Sequence, residues 1–97
     1  MGKTYDTAAI RADAMEIRKI YDSLSETYKV KVTRINAAVD EKFTGEAATA
    51  MRDSVEDIRH RMELICVDIY SLSKGLDNLA TRLEMADAEA AELIAGS

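Results

Sequence analysis

The sequence predicts an all-α protein, an antiparallel helix-turn-helix hairpin with two long heptad-patterned helices. Two stretches of apolar residues recur at steps of three and four, and only one segment between them has the composition of a turn. The 97 residues include no proline and four glycines, whereas most β-rich folds depend on Gly and Pro in their turns. We therefore expect a single helical-hairpin domain over residues 1–97.

Helix one is expected at about residues 7–42. Its apolar residues alternate steps of three and four, with one skip near Lys31. They are Ile10, Ala14, Ile17, Tyr21, Leu24, Tyr28, Val32, Ile35 and Val39. Asp6 or Thr7 can cap the helix start, because either side-chain oxygen can accept a hydrogen bond from the free amides of the first turn.

The turn is expected at about residues 43–45, where the apolar stripe of helix one, its residues at steps of three and four, has ended and that of helix two has not begun. Gly45 supplies backbone freedom there, and Thr44 can cap the helix that follows. Gly75 is the other residue that could interrupt a helix, but the apolar stripe of helix two continues through it in register. We expect the helix to continue through Gly75 at a cost of about 1 kcal/mol.

Helix two is expected at about residues 46–94. Thirteen successive stripe positions are all apolar, which chance gives about once in 3,000 sequences of this composition. They are Met51, Val55, Ile58, Met62, Ile65, Ile69, Leu72, Leu76, Leu79, Leu83, Ala86, Ala90 and Leu93. This strict period of 3.5 predicts left-handed packing against a partner helix.

The two helices differ in length, because at ~1.5 Å per residue they span about 54 and 73 Å. Beyond about residue 82, helix two therefore lacks an intrachain partner. Its stripe nevertheless continues to Leu93, and four acidic residues follow Arg82 with no further basic residue. This pattern favours a docking segment that includes Ala86, Ala90 and Leu93. A frayed, solvated chain end is the alternative.

A second feature that one hairpin does not explain is the apolar middle of helix two. Leu64, Val67 and Tyr70 lie beside the stripe, so this part of the helix is apolar on more than one side. We interpret these residues as a second interface, most simply between two hairpins that form a four-helix bundle. Scattered surface apolar residues are the alternative.

Several functional classes are disfavoured. The net charge of -5 argues against nucleic-acid binding, and the longest apolar run, Leu64 to Val67, is too short for a membrane span or the core of a secretory signal. His60 has Asp57 and Glu56 three and four residues before it, but the motif of di-metal bundles needs a second copy and further carboxylates. The sequence therefore predicts no enzyme, cofactor or metal site, and a solvated charged face around His60.

Phe43-Thr44-Gly45 at the turn of such a hairpin resembles the Trp-x-Gly (WXG) family of small type VII secretion substrates, the early-secreted-antigen-like proteins of Gram-positive bacteria and mycobacteria. The resemblance covers nearly the whole chain, since size, absence of proline and a longer second helix also agree. It implies that Phe43 is the aromatic residue that packs at the bend and that Gly45 lets the turn close.

The family also has an export signal, Tyr-x-x-x-Asp/Glu, just beyond the paired part of helix two in one member of a secreted dimer. The comparable residues here are Leu83 and Asp87, with leucine in place of tyrosine. The resemblance implies either a variant signal or a chain that relies on a partner's signal. In the second case, this chain would target a larger type VII effector.

We therefore expect a non-enzymatic hairpin that pairs with itself or with a related chain. It would be secreted by a type VII route after a cytoplasmic stage, or would help to export an effector. Leu83 and Asp87 would contact a secretion ATPase or that effector. The alternative is a cytosolic structural or adaptor coiled coil with no secretion role, for which the same heptads would serve.

Overall fold

The computed structural model describes residues 6–96, and these form two α-helices joined by a short turn. Helix α1 spans Thr7–Lys42 and helix α2 spans Gly45–Gly96. The chain folds back on itself, so that Arg11 near the start of α1 pairs with Glu84 late in α2. The molecule measures 78 × 17 × 15 Å, and its long dimension is the length of α2. The predicted all-α hairpin is confirmed.

The ends of α1 follow from local hydrogen bonding. The Asp6 carboxylate accepts a hydrogen bond from the Ala9 amide at 2.9 Å, so Asp6, one of the two expected caps, closes the first turn. At the other end, the Phe43 amide donates to the Val39 carbonyl at 2.9 Å while the Phe43 backbone turns to an extended conformation. Helix α1 has the expected bounds, and α2 begins one residue earlier and ends two residues later than expected.

Gly45 makes the tight bend possible. Its φ of 64° lies in the left-handed region, which costs residues with a Cβ about 1–2 kcal/mol. Gly75, by contrast, lies inside α2, which runs through it without interruption as the sequence predicts.

The residues buried between the two helices are mostly small. They are Ala14, Tyr28, Val39, Ala48, Val55, Cys66, Ser73 and Ala80. Ser73 is fully buried, and its hydroxyl donates to the backbone carbonyl of Ala14 at 3.0 Å. Such a bond from one helix to the backbone of the other requires a close approach, which small side chains permit. We call this line of small residues the contact line.

The large apolar stripe of α2, which the sequence predicts to pack against a partner helix, does not all pack against α1. The members that are buried or half-buried against α1 are Val55, Met62, Ile69, Leu76 and Leu83. The alternate members, which we call the outer row, are Met51, Ile58, Ile65, Leu72 and Leu79, with 39–57% of each exposed. The reason is that Cys66, Ser73 and Ala80 supply the other half of the contact with α1.

Alanine substitutions at two glycines should have opposite effects. An added Cβ meets no atom within 4 Å at Gly45 or Gly75, so only backbone conformation differs. Gly45→Ala should lower the free energy of unfolding by about 1–2 kcal/mol because it forces a Cβ into the left-handed region. Gly75→Ala should raise it by about 1 kcal/mol through helix propensity. Urea unfolding checks both, and shifts of the same sign would contradict this account of the bend.

Enlarging the contact line should destabilise the hairpin. Ala80 is fully buried, so Ala80→Leu should lower the free energy of unfolding by about 1–3 kcal/mol through overpacking. Ala12→Leu is the matched control on the exposed side of α1, and should change it by less than about 0.5 kcal/mol. Equal effects in urea unfolding would be inconsistent with close approach of the helices at Ala80.

Candidate functional site

The predicted turn motif lies together at the bend. Phe43 is the residue that caps the end of α1, Thr44 follows, and Gly45 begins α2. The side chain of Phe43 remains 39% exposed, beside an open cleft that Ala48 also lines. An ion pair between Asp40 and Arg52, with Arg52 Nε donating to Asp40 Oδ1 at 2.9 Å, joins the two helices just behind the bend.

Ion pairs among Arg11, Arg18, Asp77 and Glu84 lie on one face of the hairpin, which we call the polar face. Arg11 Nη2 donates to Glu84 Oε1 at 2.6 Å and to Thr81 Oγ1 at 3.1 Å. Asp77 lies 3.8 Å from Arg11 and 3.7 Å from Arg18. These charges are about half exposed, so each pair contributes little to stability, but together they favour one register of α2 on α1.

The contact between Arg11 and Glu84 changes the acidity of both groups. The hydrogen bond from Arg11 is the main reason why the pKa of Glu84 lies below its ordinary value of 4.5, and a hydrogen bond from Thr7 adds to this effect. The same bond raises the pKa of Arg11. The pair joins the start of α1 to the last part of α2 that lies beside it.

Tyr70, which we expected in a second interface, makes contacts within the hairpin. Its ring lies 5.2 Å from the ring of Tyr21, measured between centroids, and is half-buried. Arg18 and Lys74 place their charges 5.1 and 5.7 Å from the Tyr70 centroid. These ring and cation–π contacts account for Tyr70 without a second chain. The structure thus separates it from the other two residues of the expected interface.

Leu64 and Val67 are 52% and 54% exposed. At 100° per residue, Leu64 lies on the side of α2 turned away from the contact line. Val67 lies on the flank opposite the outer row, where it lines a cleft with Tyr21 and Tyr28 of α1. Neither residue continues the outer row.

The outer row belongs to a second face, opposite the polar face. Tyr70, Asp77 and Glu84 follow one another at intervals of seven on one flank of the α2 contact line, and the outer row follows the other flank. On α1, Met15 lies with Asp77 on the polar face, whereas Ile10, Ile17 and Leu24 recur every seven residues on the opposite flank. The outer row and these three half-buried residues share what we call the apolar face.

The surface area of the chain is large for its mass. It exposes 7525 Å². A compact monomer of 10.7 kDa is expected to expose only about 5,500 Å². The excess of about 2,000 Å² exceeds the ~800 Å² that each partner buries in a standard protein interface. The molecule therefore has ample surface to bury against a partner.

The end of α2 extends past its last ion pair with α1, at Glu84. We call residues 85–96 the overhang, which is about 18 Å long at ~1.5 Å per residue. Ala86, Ala90 and Leu93 are exposed on it, as is Asp87. Leu83 lies just before the overhang and is half-buried. The two residues of the expected docking motif thus lie one turn apart on one side of α2, but only Asp87 is well exposed.

The described residues offer little for metal or acid–base chemistry. Within residues 6–96, no three His, Cys, Asp or Glu side chains are placed to hold a metal ion. His60 is exposed on a charged face, where Arg59 donates to Glu56 at 2.9 Å and lowers the pKa of that carboxylate. Cys66 is buried in the contact line. Neither α1 nor α2, as described, contains a stretch long and apolar enough to cross a membrane.

Comparison of the chain with protein-family models, curated proteins and solved structures finds no match.

The sequence prediction missed the apolar face because its stripe on helix two left out Cys66, Ser73 and Ala80, which are buried against α1. A signal was present, since small residues recur every seven positions at Cys66, Ser73 and Ala80. Two helices can approach most closely along a row of small residues. Had this row been taken as the line of contact with α1, the outer row would have been predicted on an open face.

The link between Arg11 and Glu84 predicts a pH-dependent effect of Glu84→Gln. Because the folded state lowers the pKa of Glu84, the stabilisation is complete above 4.5 and is lost as pH falls through the lowered value. The variant should therefore be less stable than the natural chain at neutral pH. At a pH below the lowered pKa, where Glu84 is protonated, the two should converge. Urea unfolding at both pH values checks this, and a difference that is independent of pH would contradict it.

Proposed function

We propose that this chain is a small, non-enzymatic helical hairpin exported by a bacterial type VII secretion system, or that it targets an effector to one. The observation that carries the proposal is the acidic overhang of α2, which stays helical past the last ion pair with α1. Support also comes from the resemblance of the bend residues Phe43, Thr44 and Gly45 to the Trp-x-Gly family.

The proposed mechanism is recognition of one side of the overhang. Asp87 supplies an exposed negative charge, and Ala86 and Ala90 supply a shallow apolar strip beside it. A groove with an apolar floor and a basic rim would complement this surface. We assign that groove to a secretion ATPase or to a larger effector. Since Leu83 is half-buried beside α1, Asp87 is the better exposed member of the expected motif.

Association with a second hairpin is part of the same proposal. Four helices would form a bundle in which the apolar face is covered, either by a second copy or by a related chain. The apolar face equally supports the alternative, a cytosolic structural or adaptor coiled coil. The two functions differ in whether the protein leaves the cell, so export has to be measured directly.

Removing the overhang should abolish export while the hairpin persists. A chain that ends after Met85, the first residue of the overhang, keeps Leu83 and the link from Glu84 to Arg11. In a bacterium that carries a type VII apparatus and the genes flanking this one, we expect this variant to be absent from the culture medium. Its helical circular dichroism and thermal unfolding should remain cooperative.

A charge reversal provides the matched control. Asp87→Lys should reduce export about tenfold by placing a positive charge at the docking strip. Glu89→Lys makes the same change in charge two residues away, on another side of α2, and should have little effect. Unchanged secretion of the protein and of its neighbour's product after truncation would refute the docking role. Retention of the natural chain in the cell would favour the adaptor alternative.

A further inference from the structure

The outer row has the symmetry needed to pair with a second copy of itself. Its five residues are spaced by seven, and Ile65 is the central one. In an antiparallel pair of α2 helices centred there, Ile65 meets Ile65 of the second copy. Ile58 then lies opposite Leu72, and Met51 lies opposite Leu79. Every member of the row thus faces another member.

The polar residues beside the outer row favour the antiparallel direction. Arg61 lies three positions after Ile58, and Asp68 lies three positions after Ile65. Both are exposed and form no ion pair within residues 6–96. Centring the helices at Ile65 brings Arg61 next to Asp68 of the second copy, and the reverse contact forms by symmetry. A parallel two-fold pair would instead place this flank of the two copies on opposite edges of the contact, so Arg61 and Asp68 would not meet.

The surface area is sufficient for such a pair. Each chain exposes about 2,000 Å² more than a compact monomer of its mass, and a standard interface needs less than half of this from each partner. The outer row alone extends over about 42 Å at ~1.5 Å per residue. Ile17 and Leu24 of α1 lie on the same face and widen it.

We propose that a second copy of this chain covers the apolar face, with the two α2 helices antiparallel and the two-fold axis at Ile65. In this arrangement Arg61 of each copy pairs with Asp68 of the other. The inference does not depend on export, since it concerns only how two copies associate. It replaces Leu64, Val67 and Tyr70 as the interface expected from the sequence.

The first test compares two neighbouring substitutions by sedimentation equilibrium of the full chain. The natural protein should have twice the mass of one chain at micromolar concentration. Ile65→Glu should raise the dimer dissociation constant on the order of a hundredfold, because it places two carboxylates at the axis. Leu64→Glu is the matched control, since Leu64 is similarly exposed but lies off the apolar face. Circular dichroism verifies that both variants stay helical.

The second test is an exchange of charges that probes register. Arg61→Asp alone and Asp68→Arg alone should each weaken the dimer, because each places like charges together. The double variant should restore the dimer. Arg61 and Asp68 are seven residues apart, too far to pair on one helix, so rescue reports contact between chains.

Three results would overturn the proposal. The first is a chain that remains monomeric, or that pairs only with a different hairpin. The second is a dimer that Leu64→Glu dissociates and Ile65→Glu does not. The third is a double variant that dimerises no better than either single variant, which would exclude this register.

Discussion

The close approach of α1 and α2 along a line of small residues determines the rest of the structure. Ser73 is fully buried and bonds to the backbone of Ala14, and Ala80 lies buried two turns further along α2. Only small side chains permit this approach. It brings the polar flanks of the two helices close enough for Arg11 to reach Asp77 and Glu84, and these ion pairs favour a single register.

The same contact determines which surfaces remain for partners. Because small residues occupy half of the contact with α1, the outer row is left on an open face, with Ile65 at its centre. Because the register places Arg11 opposite Glu84, the rest of α2 continues beyond the pair as an acidic helix. One interaction therefore leaves exposed both the apolar face, which we propose is covered by a second copy, and the overhang, which we propose docks on a separate partner.

The sequence was sufficient for the features that depend on local chemistry. The cap at Asp6, the bend at Gly45 and the lengths of both helices follow from hydrogen bonding, backbone freedom and apolar periodicity. It was insufficient for the rotation of α2. A 3.5-residue stripe contains two rows of equal hydrophobicity, and packing against α1 decides which row is buried. For the same reason the ring contact between Tyr70 and Tyr21 was not predicted.

The most direct test of how the apolar face is covered is a distance between two copies. A spin label can be attached to a cysteine introduced by Ala50→Cys, with Cys66→Ala to remove the natural thiol. The label then lies 15 residues from Ile65 on an exposed side of α2. Double electron–electron resonance of the purified chain should give a distance near 45 Å, because antiparallel helices place the two labels about 30 residues apart along the axis. A distance of about 20 Å, or no dipolar coupling between copies, would contradict the antiparallel pair.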